Sequence, residues 1–135
     1  MFASTMNEFS TNEQNRLVDH EADAGERQFA MWMHLSLLGN LVAPLVIIIV
    51  PLVMWQVRKA DSPFLDDHGR ETVNFHISLY LYMLAIIPAL VMLTCGVGVV
   101  LIPGIYILGV IGMIAAARAA SRGEYYRYPM TIRFL

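Results

Sequence analysis

The chain has 135 residues, of which 57% are hydrophobic, with a formal net charge of −2 and a single cysteine. That apolar share exceeds the roughly 45–50% of soluble domains. No stretch is basic enough to follow a phosphate backbone, which excludes nucleic-acid binding, and Cys95 cannot form an internal disulfide.

Residues 1 to 25 are polar and acidic, with Glu8, Glu13, Asp19, Glu21 and Asp23 against Arg16 alone. Too little apolar surface is present there to offset the entropy of ordering, so a disordered acidic tail is expected. The tail has neither the basic start nor the apolar run of a secretory signal, and the chain is expected to keep it. A helical membrane domain should fill 26–135.

Two runs contain no Asp, Glu, Lys or Arg: 28 to 57 and 72 to 117. A charge-free run beyond about 18 residues reads as membrane-spanning. The expected fold class is therefore an all-α integral membrane protein with three transmembrane helices. The first run, as one helix over about 28–57, makes a tilted crossing. It also contains Gly39, Asn40, Pro44 and Pro51. A kinked helix, or a re-entrant hairpin turning near Gly39 and Asn40, is the alternative. The second run is long enough for two crossings, about 63–93 and 102–121, broken at Cys95-Gly96-Val97-Gly98. Ser62 before Pro63 reads as an N-cap, Pro103 suits a first helical turn, and Gly123 reads as a C-terminal stop.

Arg58, Lys59 and Arg70 follow the first run, while Arg118, Arg122, Arg127 and Arg133 follow the last. By the positive-inside rule both segments belong in the cytoplasm. Three crossings leave the acidic tail outside, whereas a re-entrant first segment returns it inside. The expected location is the inner membrane, with several passes.

On the second helix Asp67, Glu71, Asn74 and Ser78 are spaced 4, 3 and 4, which makes one polar stripe that Tyr82 continues. Polar groups at membrane depth need partners or a wet cavity, and Ser36 and Asn40, one turn apart on the first helix, are the candidates. The stripe either bonds helix to helix or lines a path for water, ions or a translocated segment. His68 and His76 lie about 12 Å apart along a helix, too far to share one metal ion. His34 could meet either of them, and no metal or cofactor is expected. The cluster Asp66, Asp67, His68 and Glu71 could bind a cation, but such a cluster also reads as a solvated helix entrance paired with Arg70. No nucleophile–base spacing or phosphate loop is present, so an enzyme is not expected. Gly109, Gly112, Ala116 and Ala120 form a small-residue face for packing against a helix of this chain or of a second copy. Tyr125, Tyr126, Arg127 and Tyr128, within 123–135, read as an interfacial anchor.

Four segments carry a resemblance: Glu26 to Ser36, Pro51 to Phe64, His68 to Ser78 and Gly123 to Phe134. In this order they resemble a domain-of-unknown-function family of small bacterial membrane proteins. That family is described as similar to the twenty-kilodalton channel subunit of the chloroplast inner-envelope import machinery. The resemblance implies a translocation-like role. The expected function is a non-enzymatic assembly or interaction module in a transport or translocation complex. Its expected partners are the lipid bilayer and either further copies of itself or a larger membrane complex. The alternatives are a small channel or carrier lined by Ser36, Asn40, Asn74 and Ser78, and a metal- or cofactor-binding membrane protein.

Overall fold

A computed structural model describes residues 9–43 and 48–135, with the backbone alone for Phe9, Asn40 and Leu41. Strands β1 (Phe9–Thr11) and β2 (Leu17–Asp19) pair antiparallel. Helix α1 is Ala24–Ser36 and runs on into a 3₁₀ turn, Leu37–Leu41; α2 is Ile49–Arg58. The long helix α3 spans Pro63–Leu93, and α4 is Leu101–Ser121.

The described part of the tail, expected to be disordered, is instead an ordered hairpin. Asn12 Oδ1 accepts the Gln14 and Arg16 amides and closes the turn. The ladder then extends to the far end of the chain: the Asp19 amide donates to the Gly123 carbonyl at 2.8 Å, and the Tyr125 amide to the Leu17 carbonyl at 2.8 Å. Composition missed this because the hairpin is stabilised by distant backbone partners rather than by a core of its own. Helix α1 begins with a reciprocal cap in which Asp23 Oδ1 accepts the Glu26 amide and Glu26 Oε2 accepts the Asp23 amide.

The single crossing expected over 28–57 is replaced by two short helices. At 13 and 10 residues they reach about 20 and 15 Å, less than the roughly 30 Å of a hydrocarbon core. The Arg58 guanidinium lies 4.9 Å from the Phe29 ring, and Trp55 packs in one cluster with Ala30 and Met33. The end of α2 thus lies beside the start of α1, and the pair forms a hairpin. The chain turns beyond the 3₁₀ segment that contains Gly39 and Asn40; Pro44 lies outside the described residues. Gly39 and Asn40 are weak helix formers, and Pro51 is accommodated in the first turn of α2, where its missing N–H would have no intrahelical partner.

Helix α3 starts at the Ser62 cap, where Ser62 Oγ accepts the Leu65 amide. Ahead of Pro88, which lacks an N–H and needs room at the carbonyl four residues back, the helix widens into a π-turn over Tyr82–Ile86. The connection to α4 is tight: Cys95 and Gly96 adopt positive φ. A side chain at Gly98 would come within 2.9 Å of the Val91 backbone. Helix α4 returns antiparallel, so that Ala120 joins Phe64 in one buried cluster, and stops at Gly123 with φ of 75°. Of the described helices, α3 and α4 are long and apolar enough to cross a membrane. Their outer halves are bare: Leu84, Met92, Leu93, Ile107 and Leu108 are strongly exposed.

Because α1 and α2 double back, the described part of the tail, both loops that carry basic residues and the C-terminal segment all sit at one end of the molecule. The expectation of tail and C-terminus on opposite sides is thereby corrected. Among the described residues, every charged side chain lies at that end.

Candidate functional site

The sequence puts the polar stripe on α3, and the structure supplies its partner. From Arg127 onward the chain folds back along this helix, turns at Met130, whose φ is 61°, and climbs again to Leu135. Arg127 donates from both terminal nitrogens to Asp67, each at 2.6 Å. Glu71 accepts the Tyr128 amide at 2.8 Å and the Arg133 guanidinium at 3.2 and 3.3 Å. Asn74 Oδ1 accepts the amides of Phe134 and Leu135 at 3.0 and 3.1 Å, and its Nδ2 donates to the Leu135 carbonyl at 3.4 Å. Ser78 Oγ accepts the Ile132 amide at 2.8 Å. Tyr82 donates to the Met130 carbonyl.

Irregular backbone beside an apolar helix is stable where protein satisfies its N–H and C=O groups. The stripe supplies the partners that water would otherwise supply. Ile132, Phe134 and Leu135 remain exposed on the outer side of the segment, so it turns apolar side chains outward and its polar backbone to α3. Of the expected partners, Ser36 bonds elsewhere, its Oγ donating to the Met33 carbonyl of its own helix at 2.6 Å; the Asn40 side chain lies outside the described residues.

Behind the stripe sits a second buried group. His34, His68 and Thr72 are fully enclosed. His34 Nδ1 lies 2.9 Å from the Tyr128 hydroxyl and 3.0 Å from Thr72 Oγ1, and His34 Nε2 lies 2.8 Å from His68 Nδ1. Thr72 spends its proton on the His68 carbonyl at 2.7 Å. Toward His34 Nδ1, Thr72 can therefore only accept, whereas the Tyr128 hydroxyl can either donate to that nitrogen or accept from it. Burial, and next the nearby His68, hold the His34 pKa well below its ordinary value, which keeps its imidazole neutral. Burial likewise pushes the Tyr128 phenol well up, helped by Tyr126 and by the Glu71 charge.

Tyr128 links the two groups. Its ring stacks on Phe75 with centroids 4.0 Å apart, and its edge fills the space over Gly112, where a Cβ would stand 3.3 Å away. The expected interfacial anchor is thus corrected for two of its members: Tyr126 and Tyr128 are buried in protein. Tyr125 donates to Asp19 at 3.0 Å, and Arg127 is ion-paired to Asp67. Gly109, Gly112, Ala116 and Ala120 are all buried and face the molecule's own interior. Small side chains there admit α1 and the folded-back segment.

His34, Thr72 and Arg133 were not among the predicted site residues. A signal existed for Arg133, since its charge complements Glu71, and for Thr72, which lies one turn after His68. None existed for the meeting of His34 with His68 rather than His76. His76 is also buried, with neither ring nitrogen hydrogen-bonded to a described residue. Among the described residues no group of three or more His, Cys, Asp or Glu side chains could hold a metal ion. A surface depression of about 660 Å³ at the charged end is lined by Arg16, Pro63, Asp67, Tyr125, Tyr126 and Arg127 among others. Its two arginines are already paired with Glu124 and Asp67.

Residues 25–135 match the model of a family described as the magnetosome magnetite crystal formation protein family. No curated protein and no solved structure matches the chain. These comparisons give no evidence of a likeness to the chloroplast import subunit.

Proposed function

The chain belongs to the magnetosome magnetite crystal formation protein family, and on that premise we propose that it is a non-enzymatic assembly module of the magnetosome membrane that contributes to crystal formation. The observation that carries this reading is the closure of the polar stripe. Asp67, Glu71, Asn74 and Ser78 are all engaged by the chain's own residues 127–135, so the membrane domain is a self-satisfied support rather than a lined path. A transport or translocation role is the weaker reading, because backbone already fills the surface that a solute would follow. The two long apolar helices fit a bacterial membrane of the inner type, where spans are helical rather than barrel strands. In this reading the bilayer covers the bare outer halves of α3 and α4, and larger assemblies form through the charged end, since the small-residue face is spent within the chain.

The test is crystal size and number in cells that lack the chain. Loss should change both. The wild-type chain should restore them, and Glu71→Ala, which strands the Tyr128 amide and Arg133, should not. Crystals unchanged by the deletion would contradict the proposal.

A further inference from the structure

A protein that shapes a mineral by contact needs hard oxygen ligands, above all carboxylates, on the side where the mineral grows. The structure separates such groups sharply by side. All nine Lys and Arg and all eleven Asp and Glu residues fall outside 72–117, and those described lie at the end that carries the β-hairpin and the C-terminal segment. The opposite end is the turn between α3 and α4. From Met83 to Leu101 the only hydroxyl or thiol side chains are Thr94 and Cys95. Even Thr94 is committed within the turn: its Oγ1 donates to the Leu90 carbonyl at 2.6 Å and accepts the Gly98 amide at 2.8 Å. Cys95 is exposed there, among exposed Met92, Leu93, Val97 and Val100.

Orientation then decides which end meets the crystal. Basic residues close to crossings hold their flank in the cytoplasm, and acidic residues count little in that rule. Arg58, Lys59 and Arg70 flank the start of α3, and Arg118, Arg122, Arg127 and Arg133 flank or follow the end of α4, whereas the turn at the other end has none. We infer that the β-hairpin, the C-terminal segment and the described charged face lie on the cytoplasmic side, away from the mineral. The chain therefore acts on crystal formation indirectly, by assembling partners on the outer face of the membrane, and among its described residues it presents no carboxylate to the crystal. This inference rests on the reading of the chain as a module of the magnetosome membrane.

The lone cysteine makes it testable in intact magnetosomes that hold the full chain. A membrane-impermeant maleimide that adds a visible gel shift is applied before and after solubilisation in a denaturing detergent. Native Cys95 should shift only after detergent. In a Cys95→Ser chain with Glu13→Cys, at an exposed position of the β-hairpin turn, the shift should be complete before detergent. Protection of position 13 until detergent, or reaction of Cys95 before it, would overturn the inference. If position 13 is protected while the deletion still alters crystals, the module reading survives and only the sidedness fails.

Discussion

His34 shows how one residue ties the chain's ends together. It stands on α1, bonds Tyr128 near the C-terminus and His68 on α3, and is fully buried. Its folded pKa is depressed, so the fold favours the neutral imidazole. The stabilisation this gives is complete above the unfolded value of about 6.5 and is lost progressively as the pH falls from there toward the lower folded value. The thermal midpoint of the detergent-solubilised chain should therefore be flat above neutrality and fall as the pH drops from about 6.5 to 5. That is above the range where most carboxylates titrate. A midpoint constant over that interval would contradict the burial of a neutral His34.

Element by element, local signals were legible and distant ones were not. Ser62-Pro63 and Gly123 mark helix ends through bonds made within a few residues, so the sequence displays them. The spacing of Asp67, Glu71, Asn74 and Ser78 likewise reveals a polar face on α3. What covers that face was hidden, because the Phe134 and Leu135 amides that bond Asn74 are sixty residues away in the chain and a backbone group leaves no trace in residue type. The break in the first run was visible as Gly39, Asn40, Pro44 and Pro51, yet length alone favoured a crossing. Packing between α2 and α3 carries its own prediction. A Cβ at Gly69 would lie 2.1 Å from the Trp55 ring, so Gly69→Ala must push α2 away from α3. A cost of about 1–3 kcal/mol or more is expected. Gly104, on α4, has nothing within 4 Å of its Cβ position. Gly104→Ala should be neutral or stabilise by up to about 1 kcal/mol, through helix propensity. Unfolding of the two variants in detergent compares them; equal stability would mean that α2 does not rest on Gly69.

At the scale of the whole molecule, the described chain is a hairpin of two helices long and apolar enough to cross a membrane, α3 and α4, carrying a polar head built from the β-hairpin, the C-terminal segment and the short α1–α2 pair. The head is closed by contacts between the ends of the sequence: β2 with 123–125, His34 with Tyr128, and α3 with 127–135. Composition could place the chain in a membrane, since 46 charge-free residues from 72 to 117 leave few alternatives. It could not show that the polar residues at the edge of that run serve to hold the chain's own final residues. This closure is also what distinguishes a support from a conduit.

The most direct test of that closure is amide hydrogen exchange on the full chain in lipid nanodiscs, read at Tyr128, Ile132, Phe134 and Leu135. Bonded to Glu71, Ser78 and Asn74, these four amides should exchange far more slowly than the same amides in an unstructured peptide, and Asn74→Ala should release Phe134 and Leu135 first. Exchange at unstructured rates in the wild-type chain would mean that the stripe on α3 stands open, and the account of the molecule as a closed support would fail.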